Sequence, residues 1–206
     1  MRVVMRKANA VGRTLKSQAF VLGSAMGAFW GVFVVNTLLG GALNALGVIP
    51  RSTVGLRGIL FAPFLHANFN HLVANSVPFL VLGWLVMLRD SRHFMPVTLF
   101  SMLGGGLVAW LLGAPGSVHI GASGVIFGYL GFLLLSGWYA RSAGSILLSL
   151  GVAAAWGGLV FGVMPGTPGV SWQAHLGGFI GGVLAARYFR TNKRSVLQFT
   201  KPRGNR

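Results

Sequence analysis

The 206-residue chain has no cysteine, no glutamate and a single aspartate, Asp90, and each shortage removes a class of chemistry. Without cysteine there is no disulfide, no thiol nucleophile and no cysteine-held metal or cluster. One carboxylate cannot make the paired acids of an aspartic protease or a glycosidase. A His-Glu-X-X-His zinc site would lack its general base. Charge of any kind is scarce, at 9% of residues against 54% hydrophobic ones. With a mean hydropathy of +0.72, this is the composition of a polytopic membrane protein. The net charge of +16 does not point to nucleic acid. The basic residues sit between and beyond long apolar runs instead of forming one stripe with interleaved aromatics. Lipid headgroups of the bilayer are the partner that suits them.

What is present divides into six apolar runs. Met1 to Gln18 carries Arg2, Arg6, Lys7, Arg13 and Lys16 and leads into an uncharged stretch from Ala19 to about Leu46. That is too long for a signal peptide and predicts a retained first span. Gly47 to Phe69, with Pro50, Arg51, Arg57 and Pro63 among apolar residues, suits a segment lying in the interface. The remaining spans are expected at His71 to Leu88, Phe94 to Leu112, Ile120 to Trp138, Ser145 to Val163 and Ser171 to Tyr188. Pro78 should loosen or bend the second. Of the lysines and arginines, fifteen fall in the N-terminus, the turns at Arg89/Arg92 and Arg141, and the tail, while two fall in the first connection. The excess places both termini in the cytoplasm. The expectation is an all-α membrane protein, a six-transmembrane-helix bundle over residues 19–189. A basic cytoplasmic N-terminus (1–18) and a basic, disordered-looking cytoplasmic tail (190–206) flank it.

This topology brings distant polar residues to one depth. The second, fourth and sixth spans all descend from the outer side, and each carries its polar residues within about two turns of its start: His71 and Asn75, then Ser123, then His175. Singly, each has a plain structural reading. Asn75 can bridge two helices, and His93 and His119 read as interfacial residues with one hydrogen bond each. Gly121-Ala122-Ser123-Gly124 alone reads more readily as a helix contact. For His66, structural and functional roles stand equal. Together the four intramembrane groups are costly and mark function. His71 and Asn75, four apart, share one helix face. Gly124, Gly128 and Gly131 beside Ser123, and Gly178 and Gly182 below His175, form smooth stripes that let the two helices approach closely. Serine needs a base to take its proton, and His175 is the histidine placed to do so from a neighbouring span. Asp90 lies at the opposite end of the bilayer, so a Ser-His dyad remains rather than a triad. The Ser123 N–H with the side chains of His71 and Asn75 would hold an oxyanion.

Three stretches together closely resemble the rhomboid family of intramembrane serine proteases: His66 to Asn75, the Gly121 to Gly124 run, and Ala174-His175-Leu176-Gly177-Gly178 with Gly182. The resemblance implies Ser123 as nucleophile, His175 as general base, and His71 and Asn75 on the oxyanion side. His66, Gly121, Gly124, Phe127, Gly178 and Gly182 would support them. It also implies a substrate that is itself a transmembrane helix, admitted sideways and cut near its outer end, with no cofactor and no metal. Phe127 stands where some members have a tyrosine packed on the catalytic histidine. The Trp-Arg pair of the first outer loop is missing, with Leu56-Arg57 its nearest counterpart. A small six-span form implies the bacterial plasma membrane, with the active site toward the outer side. Two other readings stay in view: a catalytically silent relative that binds or escorts membrane helices, and a transporter-like metal site made of His66, His71 and His175.

Overall fold

A backbone that enters hydrocarbon has no water to bond to, so long apolar runs fold as helices whose hydrogen bonds close on themselves. The computed structural model, which describes the backbone of residues 2–140 and 142–199 and the side chains of 11–140 and 142–190, contains seven α-helices: α1 (Arg2–Leu38), α2 (Gly58–Phe61), α3 (Phe69–Arg89), α4 (Phe94–Leu112), α5 (Ser123–Ala140), α6 (Ala143–Trp156) and α7 (Trp172–Phe199). Among the described residues the one β-type pairing is an isolated bridge between Val48 and His119. Among the described residues five segments are long and apolar enough to cross a membrane: Val11–Leu38, α3, Ser91–Leu112, α5 and Ala143–Val163. α7 is not among them. It carries Gln173 and His175 in its first turns and basic residues toward its far end.

The third span has the bounds that the sequence predicts, and the others shift for local reasons. α1 ends at Leu38, not Leu46. Gly40 and Gly41 take left-handed φ values of 62° and 87°, which glycine alone adopts without cost. The Asn36 amide group then holds Leu43 N–H and the Asn44 side chain, at 2.9 Å each, and Ala42–Leu46 forms a separate turn of 3₁₀ helix. α5 begins at Ser123 itself and not at Ile120. Beyond Trp156 the fifth run tightens into a 3₁₀ segment, Gly157–Val163. α3 starts at Phe69, with the Asn68 side chain capping His71 N–H at 2.9 Å, and runs unbroken through Pro78. α7 continues to Phe199, past Tyr188 where the apolar pattern ends. The rest of the tail, 200–206, lies outside the described residues.

Glycine decides the packing. α7 lies between α5 and α4 and shows a different pair of glycines to each. A Cβ at Gly178 would fall on the Gly124 carbonyl oxygen, and one at Gly182 on that of Gly128; on the other side Gly177 meets the Gly104 carbonyl and Gly181 that of Phe100. Backbones this close gain dispersion contact that larger side chains would forbid. The core around them is apolar. Leu72, Leu82 and Val86 of α3, Val97 of α4, and Tyr129, Leu130 and Leu133 of α5 are buried, and Tyr129 hydroxyl shares a 2.7 Å hydrogen bond with Thr98 Oγ1. α6 stands outermost, with Val152 its one buried residue.

The first connection is built, not loose. Gly55 and Gly58 pack so tightly on Ile49 and on Gly47–Val48 that neither has room for a Cβ. Trp110 Nε1 donates to Ser52 O at 2.8 Å, and the Arg51 guanidinium donates to Leu111 O and Gly113 O at 3.3 and 3.0 Å. Where the Trp-Arg pair is missing, Arg57 donates to Ala45 O at 3.2 Å, a bond within the loop itself.

Candidate active site

The polar residues that the sequence singles out converge on one cavity of about 770 Å³, whose lining includes His71, Asn75, Ser123, Phe127 and His175. Three helix starts and two loops make it. Ser123 is the first residue of α5, reached through Gly121, whose φ of 116° excludes most side chains. Gly121 N–H donates to Ala62 O of the first connection at 2.8 Å. A Cβ at Gly121 would stand 2.6 Å from His71 Nε2 and 3.8 Å from Ser123 Oγ. Only a glycine there lets the imidazole edge and the hydroxyl face the same small volume.

His175, 8% exposed, sits in the first turn of α7. Its Nδ1 lies 2.9 Å from Gly162 O, in the 3₁₀ segment after α6. A carbonyl only accepts, so Nδ1 carries the proton and Nε2 keeps its lone pair. Gly162 thus supplies the orientation that a carboxylate gives in a triad. The Phe127 ring, one turn below Ser123, stacks on the imidazole at 4.1 Å and 9° and fixes its plane. Among the described residues no hydrogen bond joins Ser123 Oγ to the His175 ring.

On the third helix, Ala67 N–H approaches His71 Nδ1 at 3.4 Å, which leaves Nε2 as the donor toward Gly121 and Ser123. Asn75, 4% exposed, uses one amide hydrogen on His71 O at 2.8 Å, and the second remains for the cavity. Among the described residues the Ser123 N–H, which opens α5, has no backbone partner. The residues that carry these three donors line the same cavity as the serine hydroxyl. His66, 1% exposed, lies behind them with its ring 5.1 Å from that of His71 and 5.6 Å from Phe29. Among the described residues neither of its nitrogens makes a well-formed hydrogen bond, and burial, with the neighbouring His71, pushes its pKa down to about 4. Asp90 is at the other end of α3, about 28 Å from His71 at 1.5 Å per residue. There it accepts from Arg92, which holds its carboxyl down at about 2.

The comparisons with known proteins bear on the same stretch of chain. Residues 53–192 match the rhomboid domain, a stretch that holds all three motifs and the whole cavity. The chain belongs to the rhomboid family. An uncharacterized protein of Mycobacterium tuberculosis is 43% identical over 173 residues, covering 80% of this chain and 72% of its own. RHOMBOID-like protein 1 of Arabidopsis thaliana is 30% identical over 207 residues, 92% of this chain and 51% of its own. Rhomboid-like protease 5 of Toxoplasma gondii is 32% identical over 152 residues, 68% of this chain and 18% of its own. With its five membrane-length helices, this rhomboid chain is an integral membrane protein.

The structure brings together every site residue that the sequence names. Ser123, His175, His71 and Asn75 line the cavity, Gly121 and Phe127 shape it, and His66 backs it. Gly124, Gly178 and Gly182 set the helix approach beneath it. Sequence reasoning missed Gly162, whose contribution is a backbone carbonyl, and the bonds of His119. That side chain has two hydrogen-bond partners, Ser171 and Ser117, and not the single one expected of an interfacial residue.

Proposed function

We propose that the protein is an intramembrane serine endopeptidase that hydrolyses peptide bonds in or next to transmembrane helices of other membrane proteins. The observation that carries this reading is the Nδ1–H bond of His175 to Gly162 O, which leaves Nε2 basic at a cavity shared with Ser123. In the first half-reaction His175 Nε2 takes the Ser123 proton as Oγ attacks the scissile carbonyl. The carbonyl oxygen becomes an oxyanion held by Ser123 N–H, His71 Nε2–H and the free Asn75 amide hydrogen. Collapse passes the proton from His175 to the leaving amine and leaves an ester on Ser123. In the second half, water gives its proton to His175 and attacks that ester, which frees the carboxylic acid and restores the serine. Catalytic hydrogen bonds commonly close only in the substrate complex, so the unformed Ser123–His175 bond is the resting geometry of this scheme.

The same reading completes the topology. α7 is the sixth span, both termini lie in the cytoplasm, and the cavity opens toward the outer face of a bacterial plasma membrane, where water reaches it. The unformed dyad is also what favours a second reading, a silent member that binds membrane helices without cutting them. Cleavage of a single-span substrate in liposomes separates the two. Loss of cleavage in folded Ser123→Ala and His175→Ala proteins supports the protease. Cleavage that persists in Ser123→Ala would sink the mechanism, and an inert wild type that still captures helices would favour the binder.

A further inference from the structure

His119 has no part in the hydrolysis, yet it ties together the loop before α5, the residue before α7 and the first connection. It stands four residues before Ser123. Its Nδ1 lies 2.6 Å from the hydroxyl of Ser171, which stands four residues before His175. Its Nε2 lies 3.0 Å from Ser117 Oγ. Ser117 spends its own hydrogen on Ala114 O at 2.6 Å, so it accepts from His119 Nε2–H, and Nδ1 accepts the Ser171 hydroxyl. Ser171 Oγ in turn accepts Ala174 N–H at 3.3 Å, and Ser171 O accepts His175 N–H at 3.1 Å. His119 N–H and C=O each pair with Val48 at 2.9 Å. Every donor and acceptor of the neutral ring is used: the ring is anchored to the loop before α5 and to the residue before α7, and the backbone of His119 to the first connection.

We propose that His119 is a positioning residue that fixes the separation of Ser123 and His175. Those two side chains do not hold each other in the resting structure, so their spacing is set from outside. Beneath them the glycine faces of α5 and α7 fix the helix axes. Above them the His119–Ser171 bond is the tie that joins the loop before α5 to the residue before α7, one turn beyond each member of the dyad. Cutting it leaves the glycine packing intact and frees the upper ends. The cost therefore falls on the chemical step and not on substrate binding or on folding.

The inference rests on the Ser123–His175 reading, and the test separates the two. Cleavage of a single-span substrate and the rate of Ser123 modification by a fluorophosphonate are measured on the full chain in liposomes. His119→Phe, which keeps a ring and loses both bonds, is expected to lower kcat and the modification rate by about tenfold or more, with KM within about twofold. Ser171→Ala should do the same, Ser171→Thr should restore the rate, and the double variant should be no slower than either single one. Should His119→Phe not fold, the Ser171→Ala and Ser171→Thr pair carries the test. Variants that melt earlier but turn over at the wild-type kcat would overturn the inference, as would single effects that multiply in the double variant. So would adducts on Ser171, which would make that serine a nucleophile. A wild type as inert as Ser123→Ala would refute the dyad reading, and this inference with it. A wild type that cleaves beside an unimpaired His119→Phe would refute this inference alone.

Discussion

Adding one carbon atom at Gly178 tests whether the glycine faces set the catalytic distance. A Cβ there would lie 2.7 Å from the Gly124 carbonyl carbon and 3.1 Å from Gly124 Cα, with the carbonyl oxygen closer still. Carbon atoms rest at about 3.5–4.0 Å, so α5 and α7 must part by roughly 1 Å to accept Gly178→Ala. Both partners are backbone atoms of packed helices and cannot swing aside. Ser123 is one residue before Gly124 and His175 one turn before Gly178, so the parting is transmitted to the dyad almost undiminished. A misplacement of about 1 Å costs on the order of 100-fold in rate, or about 2.7 kcal/mol of transition-state stabilisation, and overpacking lowers stability by about 1–3 kcal/mol. The assay is kcat for a single-span substrate in liposomes, normalised to folded protein, with thermal unfolding alongside. Gly151→Ala in α6, where a Cβ meets nothing within 4 Å, is the control and should leave kcat unchanged. Folded Gly178→Ala with the wild-type kcat would refute the reasoning.

Other outcomes follow from the same geometry. Phe127→Ala removes the stack on His175, worth about 0.5–1.5 kcal/mol, and should slow turnover roughly 2- to 10-fold at unchanged KM, whereas Phe127→Tyr keeps the ring and the rate. Asp90→Asn should leave cleavage within about twofold, because the carboxylate is at the far end of α3; a hundredfold loss would mean that it serves the site. His66 takes a proton at about 4 when folded and at about 6.5 when unfolded. Its neutral form therefore contributes stability that is complete above pH 6.5 and is lost as pH falls toward 4, with a slope of at most about 1.4 kcal/mol per pH unit. Melting temperature followed over that range should fall toward acid in the wild type and less steeply in His66→Leu.

The parts of the fold that were legible in the sequence are those written in local patterns. The run from Phe94 to Leu112 gives α4 residue for residue, and the glycine spacing below Ser123 and His175 gives the α5–α7 contact. The second glycine face of α7, Gly177 and Gly181 against α4, is equally periodic, but its spacing alone does not say which helix it meets. The overlong first span was a misreading of Gly40-Gly41, a helix-ending pair hidden by the apolar residues after it. Gly162 was not legible at all, since its role is a carbonyl brought to His175 by the turn after α6. His119 and Ser171 are 52 positions apart, and no periodicity relates two loop residues that meet only when three helix ends assemble.

The central claim is that Ser123 is a nucleophile activated by His175. Modification of the folded protein by a fluorophosphonate, with the adduct mapped by peptide mass spectrometry, tests it most directly. The adduct should form on Ser123 and be abolished in folded His175→Ala, while Asp90→Asn leaves its rate unchanged. An adduct on a different serine, or undiminished modification of Ser123 without His175, would contradict the claim.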